Sequence, residues 1–123
     1  MKDILEQLNR SVGINGSAVI TRDGIPVISA IPAQTNEDKM AAIGASLIRS
    51  VVRGLGQLAD QEVQSVWVEA SRGRIMLVNA GTVFLVVVID PNINMDSTML
   101  DIKSAANRLR RAVTLDHAGP QTK

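Results

Sequence analysis

An α+β layer sandwich with the element order α-β-β-α-β-β-β-α is the fold this sequence predicts, and three observations carry that prediction. Amphipathic segments lie at the start, middle and end of the chain. Five short segments rich in Val and Ile lie between them, and one of these, VFLVVVI at 83–89, shows no polar alternation at all. A strand that is apolar on both faces must be covered on both, so this strand is expected at the centre of the sheet with helices on either side. A chain of 123 residues fits one core, and 1–115 is read as a single domain followed by a short polar tail, 116–123, expected to be disordered.

Ile4, Leu5, Leu8 and Val12 recur at spacings of three and four, which predicts a first helix ending at Gly13. Residues 17–21 and 25–30 form a predicted hairpin, in which Asp23-Gly24 suits the positive φ angles of a tight turn. Pro26 has no N–H to give a ladder, so the second strand is expected at a sheet edge or with that missing N–H turned to solvent. Thr35 or Asn36 is placed to cap a second helix with Glu37 and Asp38 in its first turn, running to about Leu58. A three-strand meander over 63–70, 74–79 and 82–89 follows. Asn94, Asp96 or Ser97 caps the last helix, whose Met95, Met99, Ile102, Ala106, Leu109 and Val113 make one apolar seam. The expected sheet is mostly antiparallel, in the order 2-1-5-4-3.

Thirteen Lys and Arg against twelve Asp and Glu leave a charge of +1, which gives no electrostatic footprint for nucleic acid or an anionic bilayer. Trp67 and Phe84 are the only aromatic residues, too few to stack a single strand. The chain has no cysteine, which removes disulfides, thiolate metal sites and thiol nucleophiles and fits a cytoplasmic protein. Charges in the first turns of MKDILEQLNR argue against a signal peptide. The longest apolar run, at 83–89, is far below the roughly 20 residues a membrane helix needs, so no membrane insertion is expected.

Several motifs look chemical and have simpler explanations. Gly54-Leu-Gly56-Gln-Leu-Ala59 has the G-x-G-x-x-A spacing of a dinucleotide fingerprint but closes a helix where the chemistry needs a strand followed by a helix start. Its glycines are better read as allowing close packing and then stopping the helix. No P-loop sequence occurs. His117 is the sole histidine and falls in the tail, so a Ser-His-Asp triad has no ordered base. Asp90, Asp96 and Asp101 do not match a calcium loop, and capping or ordinary surface charge explains them better. Asn9-Arg-Ser11 and Asn15-Gly-Ser17 are formal glycosylation sequons without meaning in an unsecreted chain. Arg108, Arg110 and Arg111 are read as cations complementing the dipole in the last turns of the third helix. No catalytic residue, cofactor or metal is expected.

The second helix is more informative. At 100° per residue, Met40, Ala41, Ile43, Gly44, Ala45, Leu47, Ile48, Val51, Val52, Gly54, Leu55 and Leu58 fill an arc of roughly 200°, about twice what packing on a sheet uses. The polar stripe, Ser46, Arg49, Ser50, Arg53 and Gln57, is narrow. Such a helix is expected to be buried on two sides, and a second copy of the chain is the economical cover. The third strand agrees, since Gln64-Ser-Val-Trp-Val carries no charge and none of the Lys or Pro that protects a sheet edge.

The element order, the hairpin AVITRDGIPVI at 18–28, the Ala/Gly-rich segment MAAIGASL at 40–47 and the meander resemble the roadblock family of dynein light chains and bacterial MglB-type regulators, over residues 3–114. The resemblance implies a roadblock, profilin-like fold and a homodimer joined through helix two and strand three, with the sheet continuous across both chains. It also implies a binding platform for a Ras-like small GTPase, with no enzyme chemistry in this chain. MglB-like members raise GTP hydrolysis by rearranging the GTPase's own residues; other members only scaffold. In that frame Ala41, Ala45, Ile48, Val52 and Leu55, with Val66, Trp67 and Val68, are the expected dimer interface, while Ile43, Leu47 and Val51 turn to the sheet. Arg49 and Arg53 are the candidate GTPase contacts. A structural adaptor without effect on nucleotide turnover is the alternative, and a small-molecule sensor is disfavoured by an apolar interior without convergent polar groups.

Overall fold

The computed structural model describes residues 1–31, 37–56, 62–71 and 73–118 of the chain. Its elements, in order, are α1 (Lys2–Leu8), β1 (Ile14–Thr21), β2 (Pro26–Ala30), α2 (Glu37–Gly56), β3 (Ser65–Ala70), β4 (Gly73–Asn79), β5 (Val83–Ile89) and α3 (Met95–Ala118). The five strands form one sheet in the order β2-β1-β5-β4-β3, and every pairing is antiparallel. Fold class, strand order and the central place of β5 are as the sequence predicts.

The unbroken apolar run of β5 divides between two layers. Phe84 and Val86 join Ala18 and Ile20 of β1, Leu77 of β4 and Ile48 of α2 on one face. Leu85, Val87 and Ile89 point the other way, into a cluster with Val19, Met76 and Val78 that α1 covers with Ile4, Leu5 and Leu8 and α3 with Ile102, Ala105, Ala106 and Leu109. Period-2 alternation thus puts consecutive apolar residues into separate cores. Val86 pairs with Ala18 on one side and Leu77 on the other, and Val87 with Ser17 and Met76. Amide exchange at 86–88 is therefore expected to be among the slowest in the chain, approaching the rate set by global unfolding. Fast exchange there, measured by NMR, would contradict this core.

The largest departures from the sequence reading lie at the end of α1 and in the hairpin. The first helix stops at Leu8, not Gly13, and Val12 is 74% exposed, outside the helix and outside the core. The physical reason is Asn9, whose side chain donates to the Ala30 carbonyl at 2.7 Å and accepts from the buried Ser17 hydroxyl at 2.8 Å. A side chain committed to the sheet in this way ends the helix and starts β1 three residues earlier than the Val/Ile content suggested. In the hairpin, only Gly24 takes a positive φ, +89°. Gly24 N–H donates to Thr21 O at 3.0 Å and Thr21 N–H to Ile25 O at 2.9 Å, so the connection is a three-residue loop closed by a glycine bulge, with Asp23 in ordinary backbone space.

Pro26 lies on the edge strand β2, where its missing N–H costs no ladder bond. Asn94 is the cap of α3, accepting from Asp96 N–H at 2.9 Å, and Asp90 likewise accepts from Asn92 N–H at 2.8 Å in the preceding turn. The helix runs to Ala118, so 116–118 continue α3 where a loose tail was expected. The expected caps Thr35 and Asn36, the end of helix two at Leu58, and residues 119–123 lie outside the described residues.

Candidate functional site

Helix α2 meets the sheet through Gly44 and Ile48, one turn apart. A Cβ on Gly44 would stand 3.1 Å from Leu77 Cδ2 and 3.2 Å from Ile20 Cδ1, so the absence of a side chain lets the helix backbone come down onto the strands. That approach fixes the rotation of the helix. Ile48 is 3% exposed and belongs to the sheet-side cluster, with Leu47 packed beside it, whereas Ile43 is 46% exposed. Both placements correct the sequence reading, which put Ile48 on the partner side and Ile43 on the sheet. The apolar arc was wide enough to accept either rotation, and Gly44, which decides between them, contributes nothing to apolar periodicity. The expected packing role of Gly54 moves to Gly44 as well, since Gly54 faces open space.

The outward side of α2 carries Ala42, Ile43, Ser46, Arg49, Ser50, Arg53 and Gly54, all exposed. Leu47 and Val51, expected toward the sheet, are half-buried. The side chains of Ala41, Ala45, Val52 and Leu55 lie outside the described residues. Arg49 and Arg53 line a shallow hollow of about 370 Å³ together with Ile48 and Arg22. Arg22 was missed in the sequence, where it reads only as a turn residue after β1. It donates to the Gly81 carbonyl at 2.9 Å, lies 5.4 Å from the centre of the Phe84 ring and approaches Glu62 Oε1 at 3.4 Å.

The two edges of the sheet are treated differently. On β2 the carbonyls of Ser29 and Ala30 accept from Lys2 Nζ and Asn9 Nδ2, and Pro26 begins the strand. These are the devices that keep a sheet edge from pairing. Among the described residues no side chain bonds the backbone of β3, and its burial is low throughout. Val66 and Val68, opposite Leu77 and Ile75, share the α2 face and are half-buried. Trp67, opposite Met76, is on the α3 face and 40% exposed. The open edge, the half-covered valines and the exposed Ile43 are the features a second chain would use.

The remaining candidates find ordinary employment. Arg108 donates to Gln7 Oε1 at 2.6 Å and Arg110 to Asn79 at 3.3 Å, and both lie mid-helix because α3 continues beyond them, which replaces the helix-dipole explanation. Asp101 accepts from the Ser11 hydroxyl at 2.9 Å. Among the described residues no group of three His, Cys, Asp or Glu is placed to hold a metal, and no helix is long and apolar enough to cross a membrane. The side chain of His117 lies outside the described residues.

Comparison with known proteins gives a consistent family and fold. The family model described as the Roadblock/LC7 domain matches residues 1–90. The uncharacterized protein MJ0310 of Methanocaldococcus jannaschii is 25% identical over 107 residues, covering 87% of this chain and 94% of that protein. Among solved structures, an MglB with a tetrameric arrangement superposes with a TM-score of 0.81 at 23% identity, covering 89% of this chain and 85% of that one. Myxococcus xanthus MglB superposes with a TM-score of 0.84 at 18% identity, covering 91% and 93%. At these identities the structural likeness is one of fold.

Proposed function

The chain belongs to the Roadblock/LC7 family, and from that premise we propose that it is a homodimeric binding platform that regulates a Ras-like small GTPase. The observation that carries the reading is the outward surface of α2. Ile43 is exposed there with Arg49 and Arg53, on a helix that shares its sheet face with Val66 of β3, an edge strand whose backbone no side chain caps among the described residues. An apolar residue and a bare edge invite a second copy, while the cationic stripe is left for a different partner. The MglB with a tetrameric arrangement supports self-association as a use of this fold.

The proposed dimer is joined along α2 and the edge of β3, so that the sheet runs through both chains. Ala41, Ala45, Val52 and Leu55 stay in this proposal with Val66, Trp67 and Val68. Ile48 leaves it because it is buried within one chain, and Ile43 and Leu47 take its place. Any group that acts on nucleotide belongs to the GTPase, since this sequence has no P-loop and no cysteine, and its single histidine is remote in sequence from α2.

The test is binding of the purified protein to the small GTPases of its host, loaded with GDP or GTP, with phosphate release followed in parallel. Binding together with faster release is the expected result. Binding with unchanged release would favour the adaptor reading, and no binding in either form would refute the GTPase reading.

A further inference from the structure

We propose that the hollow lined by Arg22, Arg49 and Arg53 is a carboxylate-binding site, and that an acidic segment of a protein partner docks there by displacing Glu62 from Arg22. The proposal deepens the reading of α2 as the partner-facing helix and rests on it for the source of the segment. Its chemistry rests on four side chains.

Three arginines from two distant parts of the chain line one hollow of about 370 Å³ together with Ile48. Arg49 and Arg53 are one helical turn apart, a spacing at which like charges repel each other. Arg22 adds a third positive charge. It is held in place by the Gly81 carbonyl at 2.9 Å and by the Phe84 ring beneath it. A fork of five N–H donors fixed in this way is preorganised for a planar acceptor.

Glu62 shows what that acceptor is. Among the described residues it is the carboxylate that reaches Arg22, yet its Oε1 stands 3.4 Å away, longer than the roughly 2.7–2.9 Å of a charge-assisted bond. The same oxygen is drawn from the other side by Asn79 Nδ2 at 3.1 Å, and Asn79 is itself anchored to the Val63 carbonyl at 2.8 Å. Glu62 is thus tethered short of ideal geometry, and an incoming carboxylate free to seat squarely on the guanidinium has the advantage. Arg22 and Glu62 side chains are 45% and 59% exposed, so the exchange requires no opening of the core.

The scale of the hollow suits one or two side chains, and the aliphatic stems of its arginines suit a leucine or similar residue next to the acid. A net charge of +1 supplies no extended basic face for a nucleic acid or a bilayer. A discrete acidic and aliphatic segment is the occupant that matches both size and charge.

The experiment uses the full 15N-labelled chain and follows the arginine Nε–Hε signals by NMR while a capped peptide of alternating glutamate and leucine is added. Inorganic phosphate is titrated separately. The signals of Arg22, Arg49 and Arg53 are expected to shift together and saturate, with Arg108 unmoved. Arg49→Glu and Arg53→Glu, both at exposed positions, should each weaken binding about tenfold, mostly through slower association. Glu62→Gln should tighten it several-fold by removing the internal competitor. Absence of the shifts, indifference to the arginine variants, weaker binding by Glu62→Gln, or equal affinity for phosphate would each overturn the proposal. The peptide test needs no GTPase. Failure here alongside intact GTPase binding would sink this site alone, and peptide binding without GTPase binding would sink only the broader reading.

Discussion

Ile48→Asp is expected to unfold the single chain, not merely to separate two chains. Ile48 is 3% exposed and packs with Ala18, Ile20, Leu77, Phe84 and Val86, contacts that a short carboxylate beside the arginines of the hollow does not replace. Losing a buried aliphatic side chain and its packing costs about 2–5 kcal/mol, more than a solvent-screened ion pair to those arginines returns. Against a total stability on the order of 5–15 kcal/mol, a loss of about 3–5 kcal/mol takes from about a fifth of the margin to all of it and lowers Tm by roughly 10–20 °C. Ile48→Leu, which keeps the volume, should cost less than about 1.5 kcal/mol. Thermal unfolding followed by circular dichroism checks both. An Ile48→Asp protein that melts like the wild type but has become monomeric would return this residue to the dimer interface.

Ile43→Asp should have the opposite signature. Ile43 is 46% exposed in the single chain, so a charge there remains hydrated and the fold keeps its melting behaviour to within about 0.5–1 kcal/mol. In the proposed dimer the same residue faces the partner, and two symmetry-related carboxylates are brought into an apolar contact at once. Loss of about 2–4 kcal/mol of association, a dimer Kd raised roughly thirty- to a thousandfold, is the expected effect. Sedimentation equilibrium on the folded variant measures it. Undiminished association of Ile43→Asp would place the partner on another surface.

These two residues also mark where the sequence stopped being legible. Strand order, the central β5 and the α3 seam follow from local patterns, because an unbroken apolar strand and a repeat of three and four each admit one placement. The rotation of α2 did not follow, because twelve apolar or small residues filled its arc and the decision lay with Gly44, which fits against Leu77 and Ile20 through the lack of a side chain. The end of α1 was hidden for a related reason. Asn9 serves Ser17 and Ala30, partners that are distant in sequence and invisible to periodicity. The candidate site was half readable: Arg49 and Arg53 stand out at helical spacing, but Arg22 joins them only once β1 is laid beside β5 and its guanidinium rests near Phe84. The contrast between the sheet edges was likewise partial, with Pro26 visible and the Lys2 and Asn9 caps on β2 not.

In the proposed dimer a second copy of the chain covers α2 and the edge of β3. The most direct measurement is the molar mass of the wild-type protein by light scattering across a micromolar concentration series. The prediction is a mass of twice 13.2 kDa, held on dilution until the dimer dissociates. A mass of 13.2 kDa throughout the series would contradict it.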